Sequence, residues 1–180
     1  MKDKIKEYFM NIITKLNDFD TKWFFKINNT ELRCSTLNSF MLAMTQLGEA
    51  WLPLMAVMLF YTKEGGSLEF VQKIIWSFAI SGGITQVIKH CVDRTRPTVL
   101  PGAITVGPAP TSQSFPSGHT TSAFAFATTC ALFFPNWTIV ALLLASLAGI
   151  SRIYLGVHYP LDVLFGAAIG LLTSIIVYIF

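Results

Sequence analysis

The second half of the chain is apolar almost without interruption. No charged side chain lies between His119 and Arg152, a stretch of about 32 residues, and none follows Asp162. A helix crossing a bilayer needs about 20 apolar residues at about 1.5 Å each, so the first gap is too long for one span and must fold back. Phe134-Pro135-Asn136-Trp137 supplies the break, because proline disfavours helix in the residue before it and Asn and Trp suit an interface. The pattern therefore predicts helices at 118–134 and 137–155, with further spans at 37–61, 69–90 and 160–180. Thr62-Lys63-Glu64-Gly65-Gly66-Ser67 is short, charged and glycine-rich, which predicts a turn in water.

The N-terminus has another pattern. Ile5, Tyr8, Phe9, Ile12, Ile13, Leu16, Trp23, Phe24 and Ile27 recur at helical spacing, with Lys2, Lys4, Lys6, Lys15, Lys22 and Lys26 between them. That much charge on a periodic helix predicts one lying in the membrane surface, a solvated helix packed on the bundle being the alternative. A long apolar core and a small-residue cleavage site are both missing, so the segment does not read as a removable signal peptide. The expected architecture is an all-α integral membrane bundle of about five transmembrane helices plus this amphipathic surface helix, or six if that helix spans. Residues 1–33 form the interfacial segment and residues 34–180 the membrane domain.

Composition agrees. With 180 residues and 53% hydrophobic content, and a mean hydropathy of +0.56, the chain suits one domain in a bilayer better than a soluble one. Cys34, Cys91 and Cys130 are scattered and lack metal-ligand spacing, which predicts packing roles and neither a disulfide framework nor a zinc site. One long segment, from about Thr95 to Ser114, cannot be a regular helix, since it carries Pro97, Pro101, Pro108 and Pro110 with Gly102 and Gly107. Long loops in compact domains tend to be functional or disordered.

Polar chemistry collects at the edges of that loop and one other. Five spans in series bring the loop after the second and the loop after the fourth to the same side. The first carries Lys89, Arg94, Arg96, Ser117, Gly118 and His119; the second carries Arg152, His158 and Asp162. Cations outnumber acids, which suits an anionic ligand. His158 and Asp162 are four positions apart and face the same way on a helix beginning near Pro160. A carboxylate that fixes one ring nitrogen leaves the other free to attack. Ser117-Gly118-His119 opens a helix, where unpaired N–H groups favour a phosphate, and His119 is placed to act as general acid. Lys89, Arg96 and Arg152 would stabilise charge on the equatorial oxygens of a transferring phosphoryl group. No carboxylate cluster is close in sequence to hold magnesium, so a metal-free and cofactor-free reaction through a phosphohistidine is expected.

Three stretches, Lys89-His90-Cys91-Val92-Asp93-Arg94-Thr95-Arg96-Pro97, Pro116-Ser117-Gly118-His119, and Ser151-Arg152 followed by His158 and Asp162, resemble the three signature motifs of the type 2 phosphatidic acid phosphatase superfamily. They appear in order and with the family's internal spacing, across roughly residues 37–180. The resemblance implies that His158 is the nucleophile, Asp162 its orienting partner and His119 the acid and base. It implies that Lys89, Arg96, Ser117, Gly118 and Arg152 bind the phosphate. Soluble haloperoxidases share the motifs, but the apolar spans argue against that class. Membrane members generally have six helices, one more than the spans counted here.

Arg94 has no place in the family pattern and is expected to anchor the interface or touch a head group. His90 points away from Lys89 and is expected to be structural or exposed. Glu49, near Gln46 in an apolar segment, needs a partner if it lies at membrane depth. The resemblance further implies a bacterial inner-membrane enzyme with its site at the periplasmic or extracellular face. Its partners are the bilayer and a phosphorylated membrane lipid, not nucleic acid, and small bacterial members act on lipid A 1-phosphate, undecaprenyl diphosphate or phosphatidylglycerol phosphate. The positive-inside bias points the other way, toward a cytoplasmic site, and the resemblance is given more weight. A nonhydrolytic lipid-binding or transport protein is the competing class, although neither role needs His119, His158 and Asp162 together.

Overall fold

The computed structural model describes residues 2–49 and 68–180. Among these the fold is helical throughout: α1 (Lys2–Asn28), α2 (Ser35–Gln46), α3 (Leu68–Cys91), α4 (Gly118–Phe133), α5 (Thr138–Tyr154) and α6 (Pro160–Ile179). Single 3₁₀ turns sit at Pro97–Val99 and Pro135–Trp137. Prolines at N1 start both turns and α6, where the missing N–H costs nothing. Four of the expected helices appear within a residue or two of their predicted ends, and the α4–α5 fold-back falls on the Pro135 turn. Among the described residues two stretches, Pro135–Tyr154 and Pro160–Ile179, are long and apolar enough to cross a membrane, with mean hydropathies of 1.6 and 2.1.

The expected continuous span at 37–61 is interrupted. Helix α2 stops at Gln46, and the Leu47 and Gly48 N–H groups turn back to the Met44 and Thr45 carbonyls, respectively. The break falls where Gly48 meets α4: a Cβ there would lie 2.6 Å from the His119 carbonyl oxygen. The remainder of that span and the Thr62–Ser67 turn lie outside the described residues.

The bundle is held by small residues. Helix α4 buries Thr120, Thr121, Ala123, Ala125, Ala127, Thr128 and Thr129, and packs between α3, α5 and α6. Where α6 crosses α4, Gly166 and Gly170 bring the two backbones together; a Cβ on Gly166 would stand 2.6 Å from the Ser117 carbonyl oxygen. Close backbone approach through small residues is how helices associate where lipid removes the hydrophobic drive. Hydroxyls join the contact: Thr85 to Thr121 at 3.3 Å, Thr129 to Ser77 at 3.3 Å, and Ser174 to the Ala125 carbonyl at 3.0 Å. On α3 the buried stripe runs Phe70, Ile74, Ser77, Ser81, Thr85, Lys89, so the row that packs the helix delivers a lysine at its end.

Helix α1 lies against α5 and α6. Asp20, Phe24 and Asn28, spaced four apart, are fully buried, whereas Leu16, Phe19 and Trp23 are 48%, 52% and 40% exposed. Asn28 explains part of this. Its side-chain amide donates to the Ile104 and Tyr154 carbonyls at 2.8 and 2.9 Å and accepts from the Ile104 N–H at 2.8 Å. Arg33 adds a bond to the Tyr154 carbonyl at 2.8 Å. The long loop and the α5 terminus are thereby tied to α1.

Candidate active site

One end of the bundle gathers the C-terminus of α3, the N-termini of α4 and α6, and the loops 92–117 and 155–159. The loops are pinned to each other by Val106 N–H to the Leu155 carbonyl at 3.1 Å, and Ser117 N–H donates to the Asp162 carbonyl at 3.0 Å. All the residues expected to carry chemistry lie at this end.

His158 is 2% exposed, on the short turn before α6. Its Nε2 is 3.1 Å from Arg96 Nη1. A guanidinium can only donate, so Nε2 is the unprotonated nitrogen and the ring proton sits on Nδ1. That nitrogen lies 3.4 Å from Asp162 Oδ2, within ion-pair reach but without hydrogen-bond geometry. Sequence spacing thus placed the pair correctly, though the hydrogen bond it predicts is not closed here. Burial, with Arg96 and Arg152 nearby, outweighs the opposing Asp162 carboxylate and pushes the imidazole down to about 3.

Asp162, fully buried, is fastened more firmly than its histidine. Its Oδ2 accepts from the Ser114 hydroxyl and from the Tyr159 N–H at 2.9 Å, and its Oδ1 accepts from Arg94 Nη1 at 2.6 Å. The other arm of Arg94 donates to Asp20 Oδ2 at 2.6 Å. Arg94 is therefore neither an interfacial anchor nor a free head-group contact; it bridges two buried carboxylates. Burial disfavours its charge, but Asp162 and Asp20 outweigh burial and hold it above the ordinary arginine value.

Lys89, Arg96 and Arg152 are each under a tenth exposed and within electrostatic range of one another. Lys89 donates to the Gln113 carbonyl at 2.7 Å, Arg96 to the Ser112 and Val157 carbonyls at 2.7 and 2.9 Å, and Arg152 Nη1 to the Thr45 hydroxyl at 2.6 Å. The Arg152 Nε is buried with no partner. Like charges assembled at this depth favour an anion between them. An open cleft of about 240 Å³ adjoins Arg96, its walls including Thr95, Thr98, Thr111, Ser112 and Gln113.

Ser117 caps α4, its hydroxyl accepting from the Thr120 hydroxyl at 2.9 Å and from the Thr120 N–H at 3.5 Å, while its carbonyl takes the Thr121 N–H. The remaining first-turn amides, those of Gly118 and His119, have no acceptor within the helix. His119 Nε2 lies 2.7 Å from Glu49 Oε1. His90 is exposed, its Nδ1 2.7 Å from the Gln86 carbonyl. Sequence reasoning missed Asp20, Thr45 and Ser114; Asp20 and Thr45 have no motif beside them, whereas Ser114 stands three residues before Ser117 and could have been found from that motif.

A family model described as the PAP2 superfamily matches residues 70–180. An undecaprenyl-diphosphatase of Sulfolobus acidocaldarius is 31% identical over 156 residues, covering 84% of this chain and 73% of the relative. A lipid A 1-phosphatase of Rhizobium etli is 30% identical over 166 residues, covering 74% and 72%. The crystal structure of Aquifex aeolicus LpxE superposes with a TM-score of 0.81 at 29% identity, covering 90% of this chain and 96% of that one. Matching in sequence, fold and helix arrangement, the chain belongs to the PAP2 superfamily and is a membrane lipid phosphatase.

Proposed function

We propose that this phosphatase removes a terminal phosphate from a membrane lipid through a phosphohistidine on His158, with protein cations supplying the charge a metal would otherwise provide. The observation that carries the reading is the buried His158 with Nε2 unprotonated and turned toward Arg96. On binding, the substrate phosphate takes over the Arg96 contact and is held by Lys89, Arg96, Arg152 and the amides of Gly118 and His119 at the start of α4, where the dipole favours an anion. His158 Nε2 attacks phosphorus, the P–O bond to the lipid breaks, and His119 delivers its proton to the departing oxygen. Asp162, facing Nδ1, stabilises the positive imidazole of the intermediate. Water then attacks the same phosphorus, His119 accepts its proton, and the P–N bond breaks to free phosphate and His158.

Substrates that fit are undecaprenyl diphosphate, lipid A 1-phosphate and phosphatidylglycerol phosphate. Each presents a terminal phosphate whose leaving group, an alcohol or a phosphate, stays in the bilayer. The topology we propose has about five spans with α1 in the interface, in a bacterial inner membrane, with the site on the external face.

The test is phosphate release by detergent-purified protein in EDTA, on those three lipids in parallel, with His158→Ala as control. Release from one lipid, abolished in the variant, is expected; release by His158→Ala at the wild-type rate would overturn the mechanism. Quenching a single turnover with SDS at alkaline pH should trap base-stable, acid-labile phosphate on the wild-type chain alone.

A further inference from the structure

Asp20 lies on α1, in a stretch that carries no motif, yet it is fully buried and touches the catalytic end at two points. Its Oδ1 accepts from the Leu161 N–H at 2.8 Å, in the first turn of α6. Its Oδ2 accepts from Arg94 Nη2 at 2.6 Å, while Arg94 Nη1 holds Asp162 Oδ1 at 2.6 Å. One carboxylate therefore fixes both the backbone next to Asp162 and the guanidinium on the Asp162 side chain. The guanidinium is backed by the Tyr159 ring, 4.2 Å from its centroid, and that ring packs on Phe24, one helical turn from Asp20.

Docking α1 does not require charge. Taking two carboxylates and an arginine out of water carries a desolvation cost, and an apolar contact of the same size would hold a helix as well. What the ionic chain adds is direction. With Oδ1 held by Arg94, and Oδ2 by Ser114 and the Tyr159 N–H, the Asp162 carboxylate has one orientation open to it. In that orientation Oδ2 faces His158 Nδ1. Free of Asp20, Arg94 would keep one anchor and could swing, taking the carboxylate with it.

We propose that Asp20 is a positioning residue of the active site, acting through Arg94 to hold Asp162 aimed at His158, so that α1 is part of the catalytic apparatus and not only a membrane-surface element. The inference rests on His158 being the nucleophile.

The experiment compares turnover of Asp20→Asn, Arg94→Gln, the double variant, Asn28→Ala and His158→Ala, as full-length protein in detergent, on the lipid the wild type hydrolyses. Asp20→Asn and Arg94→Gln should each lower kcat by about 10- to 100-fold, the scale seen for partners one step removed from a reacting group, with KM changed less than about threefold. The double variant should be no slower than the slower single one, as for two links of a single chain. Asn28→Ala removes the other buried anchor of α1; it should lose thermal stability but keep kcat within about threefold of wild type. Wild-type kcat in Asp20→Asn, multiplicative losses in the double variant, or an equal kcat loss in Asn28→Ala would each overturn the proposal. Turnover by His158→Ala would instead overturn the mechanism on which it rests.

Discussion

At the scale of single residues, the site is defined by which nitrogen of each histidine is committed. His158 keeps Nε2 free of a proton because Arg96 donates to it, and burial keeps the whole ring neutral. The sign of that shift has a measurable outcome. A base whose folded value lies near 3, against about 6.5 unfolded, stays neutral through the whole physiological range. In ¹⁵N-histidine spectra of detergent-solubilised protein, one ring should therefore show neutral-imidazole shifts down to at least about pH 5, and that signal should vanish in His158→Ala. A titration midpoint near 6.5 for that ring would contradict the burial argument. The stability gained from keeping it neutral is fully present above the unfolded value and is lost as pH falls from there toward the folded one. His119 is committed differently, with Nε2 beside Glu49 Oε1. Glu49→Gln removes the charge but keeps the shape, and should lower kcat by about 10- to 100-fold with little change in KM. An unchanged kcat in steady-state assays would reduce Glu49 to a structural contact.

At the scale of elements, what was legible in the sequence is what short-range pattern encodes. Helices α3 to α6 announce themselves by apolar runs bounded by prolines and charges. The candidate site residues are legible because each sits within a few residues of a helix end: Lys89 at the close of α3, Ser117 and His119 at the start of α4, and His158 and Asp162 around the start of α6. Asp20 was not legible, because its partners lie 74 and 141 positions away and its neighbours Asp18 and Phe19 read as one more solvated turn. The docked face of α1 was not legible for the same reason: it is chosen by Asp20, Asn28 and what they bond. The early stop of α2 coincides with Gly48 lying on His119, a contact between segments far apart in the chain. Packing also separates glycines that look alike in sequence. Gly170 stands against the Thr121 carbonyl, whereas Gly83, also helical, has nothing within 4 Å. Alanine at Gly83 should be neutral or stabilise by about 0.5–1 kcal/mol through helix propensity. Alanine at Gly170 should destabilise by about 1–3 kcal/mol by forcing α6 away from α4. Thermal unfolding in one detergent measures both, and equal effects would deny the close α4–α6 approach.

For the whole molecule, the open issue is which face of the membrane holds the site, and here charge counting and family resemblance conflict. With five spans the N-terminal lysines lie on the same side as the site cations Lys89, Arg94, Arg96 and Arg152, and a positive-inside count would put that side in the cytoplasm. That rule concerns cations free to interact with the translocation machinery and lipid head groups. These four are each bonded within the protein: Arg94 to Asp20 and Asp162, Arg96 to the Ser112 and Val157 carbonyls, Lys89 to the Gln113 carbonyl and Arg152 to Thr45. In the proposed mechanism Lys89, Arg96 and Arg152 serve the substrate phosphate and Arg94 holds Asp162, so their number says little about the side they occupy. An external site then requires the turn between α4 and α5 to be internal, because α4 runs about 24 Å away from the site at about 1.5 Å per residue. Two exposed positions report the two ends: Val99 in the loop beside the site, and Asn136 in the far turn. With Cys34, Cys91 and Cys130 replaced, Val99→Cys should react with a membrane-impermeant maleimide in intact cells, and Asn136→Cys only after permeabilisation. The reverse pattern would place the site in the cytoplasm and restrict its substrates to lipids presented on the inner leaflet.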